Sequence, residues 1–387
     1  MAIRVLRVKV LIAYRRDDVQ CRFNLKRTQT TPVKASQTPK KSDIRYVSQA
    51  APEAERAVQL LPTVKWIRLG LPFQLAHVNV YAVSDWDGWT VIDTGLSTPA
   101  SVEAWDALLA GPLQGRPVTR VICTHMHPDH IGLVGWLCRR TGAPLLMSRT
   151  EYLTGRTLAA ESAGDAPPEG EVFYRAAGWS DDQITAWREG YGMFGKGVSP
   201  LPRAFTRLQD GDVLNIGGDE WRVVVGAGHS PEHVCLWRTS DDVFIAGDQI
   251  LPRISSNVSV WPTEPNADPL GDWMDSLAKL RGMLPEHALI LPSHGEPFRG
   301  VHNRLDALRR GHETALKRLE RTLRKPTRVL DAFPAVFGRT VGDAMLGMAT
   351  GEAQAHLNYL ERRGRARRAR DKNGVDWWST VERDEEA

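Results

Sequence analysis

From Val64 onward the chain alternates between short apolar runs and amphipathic stretches. "VKWIRLG", "HVNVYAV" and "WTVIDTG" are β-branched and aromatic runs broken by Pro, Gly and Asp turns, and they predict strands. "TPASVEAWDALLAG" then turns helical, with Thr98 placed to cap it and Pro99 at its first position. "VTRVICT" predicts another strand, and "HIGLVGWLCRRTG" a helix stopped at Gly142. A second group repeats the alternation. "DVLNIGG", "EWRVVVGAG", "HVCLWRT" and "DVFIAGD" read as strands, and "HALILPSHG" as a buried strand running into a loop. Between them "DPLGDWMDSLAKLRGML" sets Leu270, Trp273, Leu277 and Leu280 at helical spacing. Two successive groups of this kind predict an α/β fold with two sheets and helices outside.

Three regions depart from that rhythm. Residues 151–205 hold weakly helical pieces such as "SDDQITAWREGYGMF" between "APPEG" and "KGVSPLP", an insert placed to act as a lid. Beyond about residue 300, "NRLDALRRGHETALKRLERTLR" and "TGEAQAHLNYLERRG" predict helices, and "RARRARDKNGVDWWST" two strands about an Asn-Gly turn. Helices followed by a hairpin suggest a winged-helix-like domain over residues 301–387. Residues 1–55 are polar, basic and poor in aromatics, and read as a disordered extension ahead of a catalytic domain at 56–300.

Composition narrows the class. The 387 residues are 42% hydrophobic and 25% charged, which fits a water-soluble protein with a proper core. No apolar run approaches the ~20 residues of a membrane span, so no membrane partner is expected. The net charge of +4 hides an asymmetry, since residues 1–50 alone carry +9 and the remainder −5. The basic character therefore belongs to the extension and says little about what the core binds. "MAIRVLRVKVLIAYRRDD" superficially suggests a signal peptide, but Arg4, Arg7 and Lys9 interrupt the apolar run and no small-residue cleavage site follows. A disordered tail or an over-long start is the preferred reading, with an organelle-targeting segment as the alternative. Cys21, Cys123, Cys138 and Cys235 form no C-x-x-C pair, which fits reduced thiols and a cytoplasmic location.

The densest chemistry lies in "THMHPDHIG", between a strand and a helix. Alternate residues of an extended segment face one way, so His125, His127 and Asp129 can converge, while His130 in the first helical turn swings to the other side of the same point. Imidazole nitrogens and carboxylate oxygens suit zinc. Three further strand ends carry a ligand each: His229 in "VVVGAGHSPEH", Asp248 in "VFIAGDQIL" and His294 in "LILPSHGEPF". A lone histidine is usually a satisfied polar residue, but the same strand-then-ligand setting four times over is a strong signal.

The order THMHPDH, GAGHS, AGDQ and PSHG resembles the metallo-β-lactamase fold superfamily of hydrolases over roughly residues 60–300, and "VIDTG" with Asp93 matches its early strand motif. The resemblance implies a four-layer αββα sandwich with a dinuclear metal centre. One metal would be held by His125, His127 and His229, the other by Asp129, His130 and His294, with Asp248 bridging. Asp93 would orient a ligand histidine. Retention of His127 separates the chain from di-iron redox relatives, and Asp248 in place of cysteine separates it from several antibiotic-degrading ones. "LPFQLAHVNVYAV", "HSPEHV" and "GEAQAHLNYL" further resemble the branch with a winged-helix-like tail, which includes glyoxalase II-like hydrolases and lactamase-β-like endoribonucleases.

The implied cofactors are two divalent ions ~3.5–4 Å apart, zinc first, with iron or manganese as alternatives, bridged by a hydroxide that attacks the substrate. Asp129 would orient that nucleophile. His77, His233 and Asn257 are candidate pocket residues, each weighed against a plain structural role. Glu352 and His356, spaced i, i+4, read as a helix-face contact rather than a ligand pair. The expected function is hydrolysis of a small ester, thioester or lactone. Cleavage of single-stranded RNA is the alternative, prompted by the six arginines of "ERRGRARRAR"; DNA-binding regulation through the tail is the third. A small molecule, RNA and a second copy of the chain are the partners considered.

Overall fold

In a computed structural model, residues 44–47, 50–73 and 75–381 are described, and they belong to one compact unit. The targeting and disordered-tail readings of residues 1–43 lie outside the described residues. Order begins earlier than the polar texture of residues 1–55 suggests. Arg45–Tyr46 is an edge strand paired antiparallel with Phe298–Arg299. A two-residue edge strand buries little, so it needs no apolar run to announce it.

Two seven-stranded sheets build the molecule. The first runs in space Arg56–Leu61, Val64–Gly70, His77–Ser84, Trp89–Ile92, Val118–Ile122, Leu145–Met147 and Thr206–Arg207, antiparallel at first and parallel from Trp89–Ile92 onward. The second runs Arg45–Tyr46, Phe298–Arg299, Leu289–Pro292, Val243–Gly247, His233–Arg238, Asp219–Gly226 and Val213–Ile216. Period-two alternation decides which layer each side chain joins. Val64, Trp66, Val234, Leu236, Val243, Ile245, Leu289 and Leu291 meet between the sheets. Their alternates face outward: Ile67 and Leu69 onto the first helical layer, Cys235, Phe244, Ala246 and Ile290 onto the second. The result is the expected αββα sandwich.

Helix Pro99–Ala110 starts as its sequence demands, with Pro99 in the first turn and the Thr98 hydroxyl accepting from the Ser101 amide at 3.1 Å. Helix Val134–Thr141 ends at Gly142 in the left-handed conformation. Helix Pro269–Met283 buries Leu270, Trp273, Leu277 and Leu280 against the second sheet.

The insert is four helices, Arg149–Glu161, Pro168–Ala176, Asp181–Glu189 and Met193–Lys196. Phe173, Tyr174, Trp179 and Ile184 lie in one buried cluster with Phe333, Val336, Ala353 and Leu357 of the carboxy-terminal region. The segment expected to be a lid is thus anchored in its middle. Helices Val301–Thr322 and Leu346–Arg362 precede the hairpin Ala366–Arg370/Asp376–Thr380, whose turn places Gly374 at positive φ. Trp378 of that hairpin is fully buried in the same cluster. Trp378→Ala is expected to cost about 3–5 kcal/mol, and denaturant melts should keep a single transition because the tail has no core of its own.

Candidate metal centre

The chain leaves strand Val118–Ile122 extended through His127 (φ −62°, ψ 144°), then turns at Pro128 into the single helical turn Pro128–Ile131. That kink brings His125, His127, Asp129 and His130 to one place. His229 arrives through Gly228, whose φ of 107° and close approach to Trp273 exclude a side chain; an added Cβ would sit 2.5 Å from the Trp273 Cβ. Asp248 and His294 follow the ends of the parallel pair Val243–Gly247 and Leu289–Pro292.

The seven predicted ligands fall into two overlapping groups. His125 Nε2, His127 Nδ1 and His229 Nε2 form a triangle with edges of 3.0, 3.0 and 3.3 Å. Asp129 Oδ2 lies 3.5 Å from His130 Nε2 and 3.4 Å from His294 Nε2. Asp248 stands between the groups, its Oδ2 3.3 Å from His229 and 3.6 Å from His130, its Oδ1 3.4 Å from His294. All seven residues named from the sequence are therefore brought together.

Hydrogen bonds on the far side of each ring fix which nitrogen faces the centre. His125 Nδ1 donates to Thr124 Oγ1 at 3.0 Å, His130 Nδ1 to Asp93 Oδ2 at 2.9 Å, His229 Nδ1 to the Asn257 carbonyl at 2.7 Å and His294 Nδ1 to the His77 carbonyl at 2.8 Å. In each of these four rings Nε2 faces the centre, whereas His127 presents Nδ1. The buried Nε2 atoms of His130 and His294 and Asp248 Oδ1 have no hydrogen-bond partner. Such orphaned atoms are costly unless something binds them. Metal–nitrogen bonds of ~2.0–2.1 Å at tetrahedral angles require edges of about 3.3 Å; one edge of the triangle matches this and the other two, at 3.0 Å, are slightly tighter. The donor set fits divalent cations.

Electrostatics distinguishes the two groups. Burial, then the neighbouring His130, holds His125 well below the usual histidine range, and burial with His229 puts His127 at about 3. Their nitrogens keep free lone pairs at neutral pH. Burial also opposes charge on His130 and His294, but Asp129 and Asp248 raise His130, and Asp248 with Asp129 lifts His294 to about 10. The all-histidine group thus favours neutral rings, while the carboxylates beside His130 and His294 favour a positive partner there.

Asp93 takes a left-handed backbone (φ 61°), uncommon for a non-glycine residue. The turn aims its carboxylate across the parallel strand, where it accepts from the Thr124 amide and hydroxyl, both at 2.8 Å, besides His130. His77 accepts from the Gly295 amide at 3.3 Å through Nε2, and its carbonyl orients His294. His233 is fully buried, stacked on His125 at 4.6 Å, and its Nε2 accepts the Asp248 amide at 3.0 Å. Asn257 orients His229 through its main chain. These three candidate pocket residues all touch ligand loops.

Sequence reasoning missed Glu151. Sealed at the start of helix Arg149–Glu161, its carboxylate accepts the Met126 amide at 2.9 Å and the Glu232 amide at 2.8 Å, clamping two ligand loops together. Burial raises its pKa. An acid in the first turn of a helix reads as ordinary dipole chemistry, so no local signal separates it.

Fold and site together define a metal-binding hydrolase. Residues 74–294 match the model of the Metallo-beta-lactamase superfamily, and residues 316–381 that of the Metallo-beta-lactamase-like C-terminal domain. The chain belongs to the metallo-beta-lactamase superfamily. It is similar to a beta-lactamase domain protein from Burkholderia ambifaria, 35% identical with a TM-score of 0.81, covering 87% of this chain and 98% of that one. A metallo-beta-lactamase family protein from Thermus thermophilus is 25% identical at a TM-score of 0.70, covering 84% of this chain and all of that one. Among curated proteins, an Atrochrysone carboxyl ACP thioesterase of Aspergillus fumigatus is 25% identical over 239 residues, 61% of this chain but only 42% of the thioesterase. The Bacillus subtilis protein named Probable metallo-hydrolase YflN is 27% identical over 260 residues, 61% of this chain and 87% of that protein.

Two measurements test the centre. Asp93→Ala should weaken metal binding by about 10–100-fold, read by competition with a chelator. Loading the metal-free protein near pH 7 should release protons, seen as a dependence of the calorimetric heat on buffer ionisation enthalpy.

Proposed function

We propose that the protein is a dinuclear metal-dependent hydrolase of small acyl substrates, with a thioester as the preferred class and an ester or lactone as neighbouring ones. The carrying observation is the complete seven-ligand set, split into a three-nitrogen group and an Asp129–His130–His294 group with Asp248 reaching both. The thioester preference draws support from the thioesterase relatives, whose names describe those proteins.

His125, His127 and His229 would hold one ion, Asp129, His130 and His294 the second, and Asp248 both. Zinc fits this donor set, as do iron and manganese. Bound there, the ions supply Lewis acidity and activate water at neutral pH. The protein's own part is orientation and exclusion. The Nδ1–H tethers hold the rings without reorganisation, and Asp93 and Asp248, 2% and 9% exposed, are sealed from solvent. Asp129, 20% exposed, is the most open of these three carboxylates, which suits it to orient the nucleophile for attack on the acyl carbon.

The arginine run does not favour RNA. Arg363 pairs with Asp268 at 2.8 Å, Arg365 with Glu320 at 2.6 Å and Arg370 with Asp376 at 2.7 Å. Arg362 donates to the Asn266 carbonyl, Arg367 to Ser379 and Arg368 to Asn266. All six guanidinium groups already have partners within the chain. Among the described residues no helix is long and apolar enough to cross a membrane. The described cysteines are buried free thiols, in keeping with a cytoplasmic location.

Metal analysis with an activity screen against acyl thioesters, lactones, phosphodiesters and short RNA tests the reading. Two equivalents of metal, thioester turnover and a loss of more than about 100-fold in kcat/KM for Asp129→Ala are expected, beyond the effect typical of residues that merely orient ligands. A single equivalent at saturation, or turnover that survives complete chelation, would overturn it.

A further inference from the structure

The strand-end loop after Asp248 is held by the carboxy-terminal region as well as by the sandwich. Arg304, buried on helix Val301–Thr322, donates through Nε to the Leu251 carbonyl and through a terminal nitrogen to the Ile254 carbonyl at 2.6 Å. His312 of the same helix meets Ser255 Oγ at 3.3 Å, and its other nitrogen meets His356 Nε2 at 3.3 Å. His356 Nδ1 donates to the Glu352 carbonyl at 2.8 Å. The Glu352 carboxylate accepts from Asn257 Nδ2 at 2.9 Å, and Ser259 Oγ donates to Asn257 Oδ1.

Both ends of this network reach metal ligands. The Asn257 carbonyl is the acceptor that orients His229, and the Ser256 hydroxyl donates to the Asp248 carbonyl. A stretch of five residues, 255–259, is therefore fastened on one side to two ligands and on the other to helix Leu346–Arg362. The Val260 amide adds a backbone bond to the Gly351 carbonyl at 3.0 Å, and a side chain at Gly351 would collide with Ser259.

We propose that Glu352 is a positioning residue for the metal centre: by fixing the Asn257 side chain it sets the Asn257 carbonyl, and through it the ring of His229. The inference rests on the metal-centre reading above. It replaces the helix-face role expected for Glu352, whose side chain points off its own helix to the ligand loop, while His356 does bond along the helix to the Glu352 carbonyl. It also gives the carboxy-terminal region a task in catalysis that needs no nucleic acid. Burial pushes the Glu352 carboxyl up to about 7, so a neutral acceptor of the same shape should serve the same purpose. The Asn257–Glu352 contact is one bond removed from the ligand's own partner, so its loss should cost toward the lower end of the usual range for outer residues.

The test uses cobalt(II) in place of the native ion in the full chain, with absorption bands and chelator competition as readouts. Glu352→Ala should weaken one of two cobalt equivalents about tenfold and shift its visible bands. Glu352→Gln, which still accepts from Asn257 Nδ2, should stay within about threefold of the parent. Asn257→Ala keeps the carbonyl but cuts the same tether, so it should reproduce the alanine result, and the double variant should be no worse than either single one. Unchanged affinity and spectrum in Glu352→Ala overturn the proposal, as does a Glu352→Gln variant that loses as much as the alanine. If Glu352→Ala does not fold, Asn257→Ala decides by the same readouts. A parent protein that takes up no cobalt refutes the metal-centre reading instead, which is a distinguishable failure.

Discussion

Four of the five ligand imidazoles are anchored by a hydrogen bond from Nδ1, and much of the fold is arranged to supply the acceptors. An imidazole has two chemically similar nitrogens, and burial alone does not choose between them. The choice is made by Thr124, Asp93, Asn257 and His77, one acceptor for each ring. Two of the four are main-chain carbonyls, which cannot rotate away. The sandwich places strand ends side by side, and the acceptors turn that proximity into convergent lone pairs. Removing any acceptor leaves a ring free to flip and a buried polar atom without a partner, a cost the low-dielectric interior magnifies.

The seven convergent residues were legible as candidate ligands because metal chemistry restricts residue type and strand ends restrict position. His125, His127, Asp129 and His130 are dense enough to stand out, and His229, Asp248 and His294 repeat one setting. The two-sheet sandwich was legible for a related reason: alternation and turn residues record which face of a strand is buried. What escaped is what depends on distance in three dimensions. Glu151 lies among ordinary first-turn acids, and only the fold shows its carboxylate between Met126 and Glu232. Arg304 and Glu352 sit in amphipathic helices whose patterns predict packing and nothing more. The intramolecular pairing of the arginine run was illegible in part for the same reason, because Asp268 and Glu320, which pair with Arg363 and Arg365, lie far away in sequence.

The insert and the tail acquire a common meaning from the core they share. Phe173, Tyr174 and Trp179 pack with Val336, Ala353 and Leu357, and the Trp179 indole donates to Thr350 at 3.0 Å. Glu151, at the front of the insert, clamps the His125 and His229 loops, while Glu352, in the tail, holds the loop that caps His229. Insert and tail thus each bond to a loop that bears on His229, and they also share one buried cluster.

The edge strand Arg45–Tyr46 pairs with Phe298–Arg299 across about 250 residues, and the ligands themselves span His125 to His294. Such long-range closure makes assembly slow and late. A growing chain displays the dense histidine stretch while still lacking His229, Asp248 and His294, and Arg304, His312 and Glu352, which hold the loop after Asp248, emerge later still. A chain still on the ribosome therefore carries more than half of the candidate ligand set well before the fold can bring the set together.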